Sequence, residues 1–112
     1  MTGNEYQKAA LRTASYTICD TEPMLLNGLM GLNGEAGECI DILKKAIFQG
    51  HELDKEHLAK ELGDVAWYLA VSAEGIGYKL DDIFAMNIEK LYARYPEGFE
   101  ADKSQHRKEG DI

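Results

Sequence analysis

The stretch GLNGEAGECIDILKK, residues 31–45, decides how the chain is read. Leu32, Ala36, Cys39 and Leu43 are spaced by threes and fours, the period of one helix face. Yet Gly31, Gly34 and Gly37 sit among good helix formers. Each internal glycine costs about 1 kcal/mol relative to alanine, so this helix gives up about 3 kcal/mol beside Glu35 and Glu38. Two explanations are open. The small residues make room for another backbone or a ligand, or they serve tight helix packing with no ligand.

Outward from this stretch the same period continues. A second helix spans about residues 23–48, with Leu25, Leu29, Leu32, Ala36, Cys39, Leu43 and Ala46 as its apolar stripe. The preceding DTEP offers Asp20 or Thr21 as a cap and Pro23 in the first turn. Gly50 ends the helix, and Asp54 caps a third over about 55–76. The third stripe is Leu58, Leu62, Val65, Leu69, Ala73 and Ile76. A first helix covers about 4–17 and a fourth about 81–95, where Ile83, Met86, Ile88 and Leu91 are available for packing. Period-2 alternation is absent. The expected fold is all-α, a four-helix antiparallel bundle assembled as an oligomer. Residues 1–95 form the helical domain, and 96–112 a charged, loose C-terminal tail.

Composition narrows the function. Of 112 residues 45% are hydrophobic, enough for one packed domain but only a small core, which favours self-association. The net charge of -8 argues against nucleic-acid or anionic-membrane partners, because phosphate backbones need lysine and arginine. It leaves room for a phosphate ligand bridged by a metal cation. No apolar run is long enough to span a membrane, and MTGNEYQKAALRT lacks a signal segment, so the expected location is cytoplasmic. Cys19 and Cys39 match no metal or redox spacing and read as buried free thiols. His51 and His106 read as surface residues.

Glu35 and Glu38 share a helix face, and Glu61 and Asp64 repeat the spacing on the third helix. Positions 35 and 64 are equidistant from the turn, and so are 38 and 61. In an antiparallel hairpin all four carboxylates can meet within one helical turn, roughly 17 to 22 Å from the bend at 1.5 Å rise per residue. Clustered carboxylates repel, and a hard divalent cation relieves them. Spacing by itself is weak: Glu38/Asp41 and Glu97/Glu100 have it too, and a solvated acidic face is the plain alternative. On a helical wheel Glu35 and Glu61 flank their stripes by roughly 70 to 75°, Glu38 and Asp64 lie roughly 130° away, and Asp41 faces solvent. His57, one turn before Glu61, is either an outer partner of the cluster or a surface i, i+4 pair. Tyr68, one turn after Asp64, can line the site, while Trp67 lies on another face and fits core or interface packing.

GEAGECIDILKK followed by KELGDVAWYLA resembles the MazG-like all-α nucleoside triphosphate pyrophosphohydrolases, over about residues 5–95. Their ExxE and ExxD signature matches Glu35-Ala36-Gly37-Glu38 and Glu61-Leu62-Gly63-Asp64. The resemblance implies a homodimer or homotetramer with Mg²⁺, or Mn²⁺ in its place, on Glu35, Glu38, Glu61 and Asp64. It implies hydrolysis of a nucleoside triphosphate substrate to a monophosphate and pyrophosphate, with Glu35 or Glu38 acting on the attacking water. It further implies phosphate contacts at Lys90 and Arg94 in NIEKLYARYP, and a polar contact at Asn87. Gly34 departs from the pattern, since many members have a third glutamate there. Preferences in similar enzymes for dCTP, dUTP, oxidised nucleotides or phosphoribosyl-ATP leave base and sugar open.

Other classes fit less well. A non-catalytic helical module that oligomerises and binds nucleotides or proteins would keep the bundle without needing the carboxylates. A di-iron carboxylate bundle uses Glu-x-x-His pairs, absent from the second and third helices. A nucleotide kinase would need GxxxxGK[ST], which the chain lacks.

Overall fold

The computed structural model describes residues 1–15 and 21–112. Among these the regular structure is helical, with five helices and no strand. They are α1 (Gly3–Leu11), α2 (Thr21–Phe48), α3 (Lys55–Gly75), α4 (Leu80–Arg94) and α5 (Ala101–Gln105). The chain divides into two compact units, Met1–Leu80 and Asp81–Ile112.

In the first unit α2 and α3 form the central hairpin. Leu25 meets Gly75, Gly28 meets Ser72 and Gly31 meets Tyr68, so the partner number falls as the chain advances. The pair is therefore antiparallel, in the register expected from the turn. Gly50, with φ +70, makes that turn, and Asp54 caps α3 by accepting from the His57 amide at 3.0 Å. The caps expected at Asp20 and Thr21 lie outside the described residues and side chains.

The helix pair comes together on small residues. A Cβ at Gly28 would press on the Ser72 backbone, and one at Gly75 would lie 3.0 Å from the Leu25 backbone. This turns the α2 contact face away from the expected stripe. Leu29 and Leu43 of that stripe are 51% and 37% exposed, together with Leu26, Met30, Ile40 and Ile47. On α3, Leu62 and Ile76 are likewise exposed. The core is built from Ala10, Met24, Ala70, Val71, Ala73 and Leu80.

The first helix is shorter than the expected 4–17. It starts on a capping box, with the Thr2 hydroxyl accepting from the Glu5 amide at 3.0 Å and Glu5 accepting from the Thr2 amide at 3.2 Å. It ends at Leu11 because other donors take the Ala10 carbonyl. The Thr13 amide, the Thr13 hydroxyl and the Trp67 indole N–H all donate to it, at 3.1, 2.9 and 3.0 Å. Residues 16 and 17 of the expected span lie outside the described residues.

Gln7 of α1 is 2% exposed and ties this unit together. Its amide nitrogen donates to Glu74 at 3.2 Å and to the Tyr78 carbonyl at 3.0 Å, and its amide oxygen accepts from the Leu80 amide at 2.9 Å.

In the second unit α4 begins with Asp81 and Asp82 at its positive N-terminal end. Met86, Ile88 and Leu91, expected to be available for packing, are exposed. Beyond Pro96, where the sequence suggests a loose tail, the chain forms α5 and then returns Asp111 to Arg94. No described helix is long and apolar enough to cross a membrane.

Candidate metal centre

Glu35 and Glu38 come from α2, Glu61 and Asp64 from α3, at the level the hairpin register sets. One carboxylate oxygen from each of Glu35, Glu38 and Glu61 lies within 4.8 Å of the others. Asp64 is outside this tight group. It shares a depression with Glu35, lined also by Thr13, Trp67 and Tyr68.

The cluster disturbs its own protonation. A hydrogen bond with Glu61 raises the Glu35 pKa above the ordinary value of 4.5, and burial and the charges of Glu38, Glu61 and Asp64 add to it. Burial pushes the Cys39 thiol up, and the same four carboxylates push it further. Cys39 is a free, partly exposed thiol beside the cluster. From α1, Tyr6 reaches the same place. Its hydroxyl donates to the Gly63 carbonyl at 3.5 Å, and burial together with Asp64 raises its pKa.

The neighbours sort into distinct roles. His57 Nε2 lies 3.5 Å from Glu61, with the imidazole 55% exposed, and it also borders a second depression beside Gly34, Gly37 and Glu38. Asp41 pairs with Lys45 at 3.1 Å as an ordinary surface charge. Tyr68 lies over Gly31 and meets Trp67 edge-on at 5.0 Å between ring centres. The Trp67 indole N–H donates to the Ala10 carbonyl and to the Thr13 hydroxyl, at 3.0 and 2.8 Å, which places it in packing against α1.

The glycines divide in the same way. Gly31 is filled by the Tyr68 ring, whereas Gly34 and Gly37 have nothing within 4 Å. Tight helix packing therefore accounts for Gly31, and open space lies beside Glu38 at the other two.

Asn87, Lys90 and Arg94 lie on α4 in the second unit. Asn87 and Lys90 are exposed, while Arg94 is held by Asp111 through two hydrogen bonds of 2.8 Å.

Residues 25–99 match the MazG nucleotide pyrophosphohydrolase domain. The "Gene 37 protein" of Mycobacterium phage L5 is 36% identical over 100 residues, covering 83% of this chain and 88% of its own length. No solved structure matches. The chain belongs to the MazG nucleotide pyrophosphohydrolase domain family.

The sequence reading missed Tyr6, Thr13 and the nearness of Cys39 to the carboxylates. The only available signal for Cys39 was its position four residues after Glu35, which places both on one face of α2.

Proposed function

We propose that the chain is a divalent-metal-dependent nucleoside triphosphate pyrophosphohydrolase. It cleaves the α–β phosphoanhydride of a (d)NTP to a (d)NMP and pyrophosphate, clearing unwanted or excess nucleotides. The observation that carries this reading is the group of three carboxylates from two helices whose oxygens lie within 4.8 Å.

The donor set fits Mg²⁺. Hard carboxylate oxygens suit it, and the three side chains bring one such oxygen each within 4.8 Å of the others. Glu35, Glu38 and Glu61 would hold the cation with Asp64 beside them, and Mn²⁺ can take its place. A cation held there would neutralise phosphate charge and activate water for attack. Glu35 or Glu38 would orient the attacking water and accept its proton. Lys90 and Arg94 offset charge on the phosphates, Asn87 adds a polar contact, and Tyr68 borders the site.

The chain works as a homodimer or homotetramer in the cytoplasm. Leu26, Met30, Ile40 and Ile47 on α2, each 60% exposed or more, supply the apolar surface for assembly.

Separate NTPs and dNTPs, incubated with and without Mg²⁺, test the activity by pyrophosphate against orthophosphate release. The expected result is Mg²⁺-dependent pyrophosphate release that Glu38→Gln abolishes. Nucleotide binding without release, unchanged in Glu38→Gln, would instead support a non-catalytic binding module.

A further inference from the structure

The second unit contains a cationic cavity that runs against the composition of the chain. The protein has 20 acidic and 12 basic residues. Yet a cavity of about 100 Å³ is bordered by Arg94, Lys103, His106, Arg107 and Lys108, with Asp111 as its one acid. Lys103 is engaged by Glu100 at 3.5 Å and His106 by Asp102 at 3.1 Å. That leaves Arg94, Arg107 and Lys108 facing a single carboxylate.

Asp111 is held there by a defined turn. Gly110 has φ +85, and the Asp111 amide donates to the Lys108 carbonyl at 3.0 Å. The carboxylate then receives two hydrogen bonds from Arg94, both 2.8 Å, and the two side chains are only 17% and 9% exposed. Arg94 holds the Asp111 carboxyl below its usual range, and Arg107 and Lys90 add to this. A planar guanidinium gripping two oxygens is also the geometry that recognises a phosphate. A purely structural tie needs one cation. Here the surplus of positive charge stays uncompensated by one carboxylate and suits a more highly charged anion.

We infer that Asp111 is an intramolecular stand-in for a phosphate group, occupying Arg94 in the free chain until a polyphosphate displaces it. This rests on Lys90 and Arg94 being the phosphate contacts proposed above. Arg107 then becomes a further phosphate contact once Asp111 has moved. A tethered carboxylate competes at high effective concentration, so it lowers apparent affinity by the fraction of sites it fills. The tail thereby sets the affinity for the polyphosphate without touching the hydrolytic step.

Titration of the full chain with inorganic pyrophosphate tests this, by calorimetry for affinity and by NMR of the Asp111 and Ile112 amides. Asp111→Asn should bind pyrophosphate about fivefold or more tightly. It should lower KM for the nucleotide at unchanged kcat, and in the unsubstituted chain the two amides should shift saturably with pyrophosphate. Equal or weaker binding by Asp111→Asn, or unmoved amides at saturating pyrophosphate, overturns the inference. If Mg²⁺-dependent hydrolysis persists in that case, the proposed activity stands alone. If the tail is displaced but no nucleotide is hydrolysed, the anion site stands and the hydrolase reading falls.

Discussion

The Tyr68 ring of α3 lies against the backbone of Gly31 on α2, in space that a side chain at position 31 would fill. One of the glycines that weaken α2 as an isolated helix is thus a condition of its pairing with α3. Two turns of the same helix contain the opposite case, since Gly34 and Gly37 face open space.

The two kinds of glycine should respond to substitution with opposite signs. Gly31→Ala gains helix propensity but overpacks against Tyr68, at a cost of about 1–3 kcal/mol. Gly34→Ala meets no neighbour and should stabilise by up to about 1 kcal/mol. Urea unfolding of both variants measures the difference. Gly34→Leu should fold and yet lose assembly or turnover, because its bulk enters the space beside Glu38.

Gln7 is a second point of dependence. Gln7→Ala leaves the buried Leu80 amide and the Tyr78 carbonyl without their partner. The abandoned Leu80 amide, which is buried, costs about 1–3 kcal/mol by itself. Chemical denaturation should show a loss of at least about 2 kcal/mol. Hydrogen exchange at the Leu80 amide should rise with it.

Glu35 gives the metal-free protein a pH dependence. Its pKa is raised in the folded chain, first by the hydrogen bond with Glu61. Between the ordinary value of 4.5 and the higher folded value, the folded chain keeps a proton that the unfolded chain has released. Stability therefore falls as pH rises through that window. Thermal unfolding without metal should show this fall, Glu35→Gln should flatten it, and Mg²⁺ should restore stability above the window in the unsubstituted protein.

Trp67, the single tryptophan, reports on α1. Trp67→Phe removes the indole N–H that holds the Ala10 carbonyl and the Thr13 hydroxyl. Loss of those bonds should lower stability by about 1–2 kcal/mol. The native fluorescence should change on heating together with loss of α1, as followed by exchange of the α1 amides.

What was legible in the sequence is what depends on local order along the chain. The threes-and-fours period marked α2, α3 and α4, Asp54 and Gly50 marked the turn between α2 and α3, and counting from that turn set Glu35 and Glu38 level with Glu61 and Asp64. The ExxE and ExxD pairs within those helices carried the family resemblance. Rise per residue and hydrogen-bonding period are the same in every helix, so such relations survive without coordinates.

The tertiary structure decided how the helices turn about their axes and which partners end them. Close approach at Gly28 and Gly75 selected the α2 face that meets α3 and left Leu29 and Leu43 exposed. Capture of the Ala10 carbonyl by Thr13 and Trp67 ended α1 early. Tyr6 came beside Asp64, and Asp111 came back to Arg94. Each is a contact between residues distant in sequence or a packing choice among several apolar faces. Such contacts are set by van der Waals fit and hydrogen-bond competition in three dimensions, which the period of a single helix does not encode.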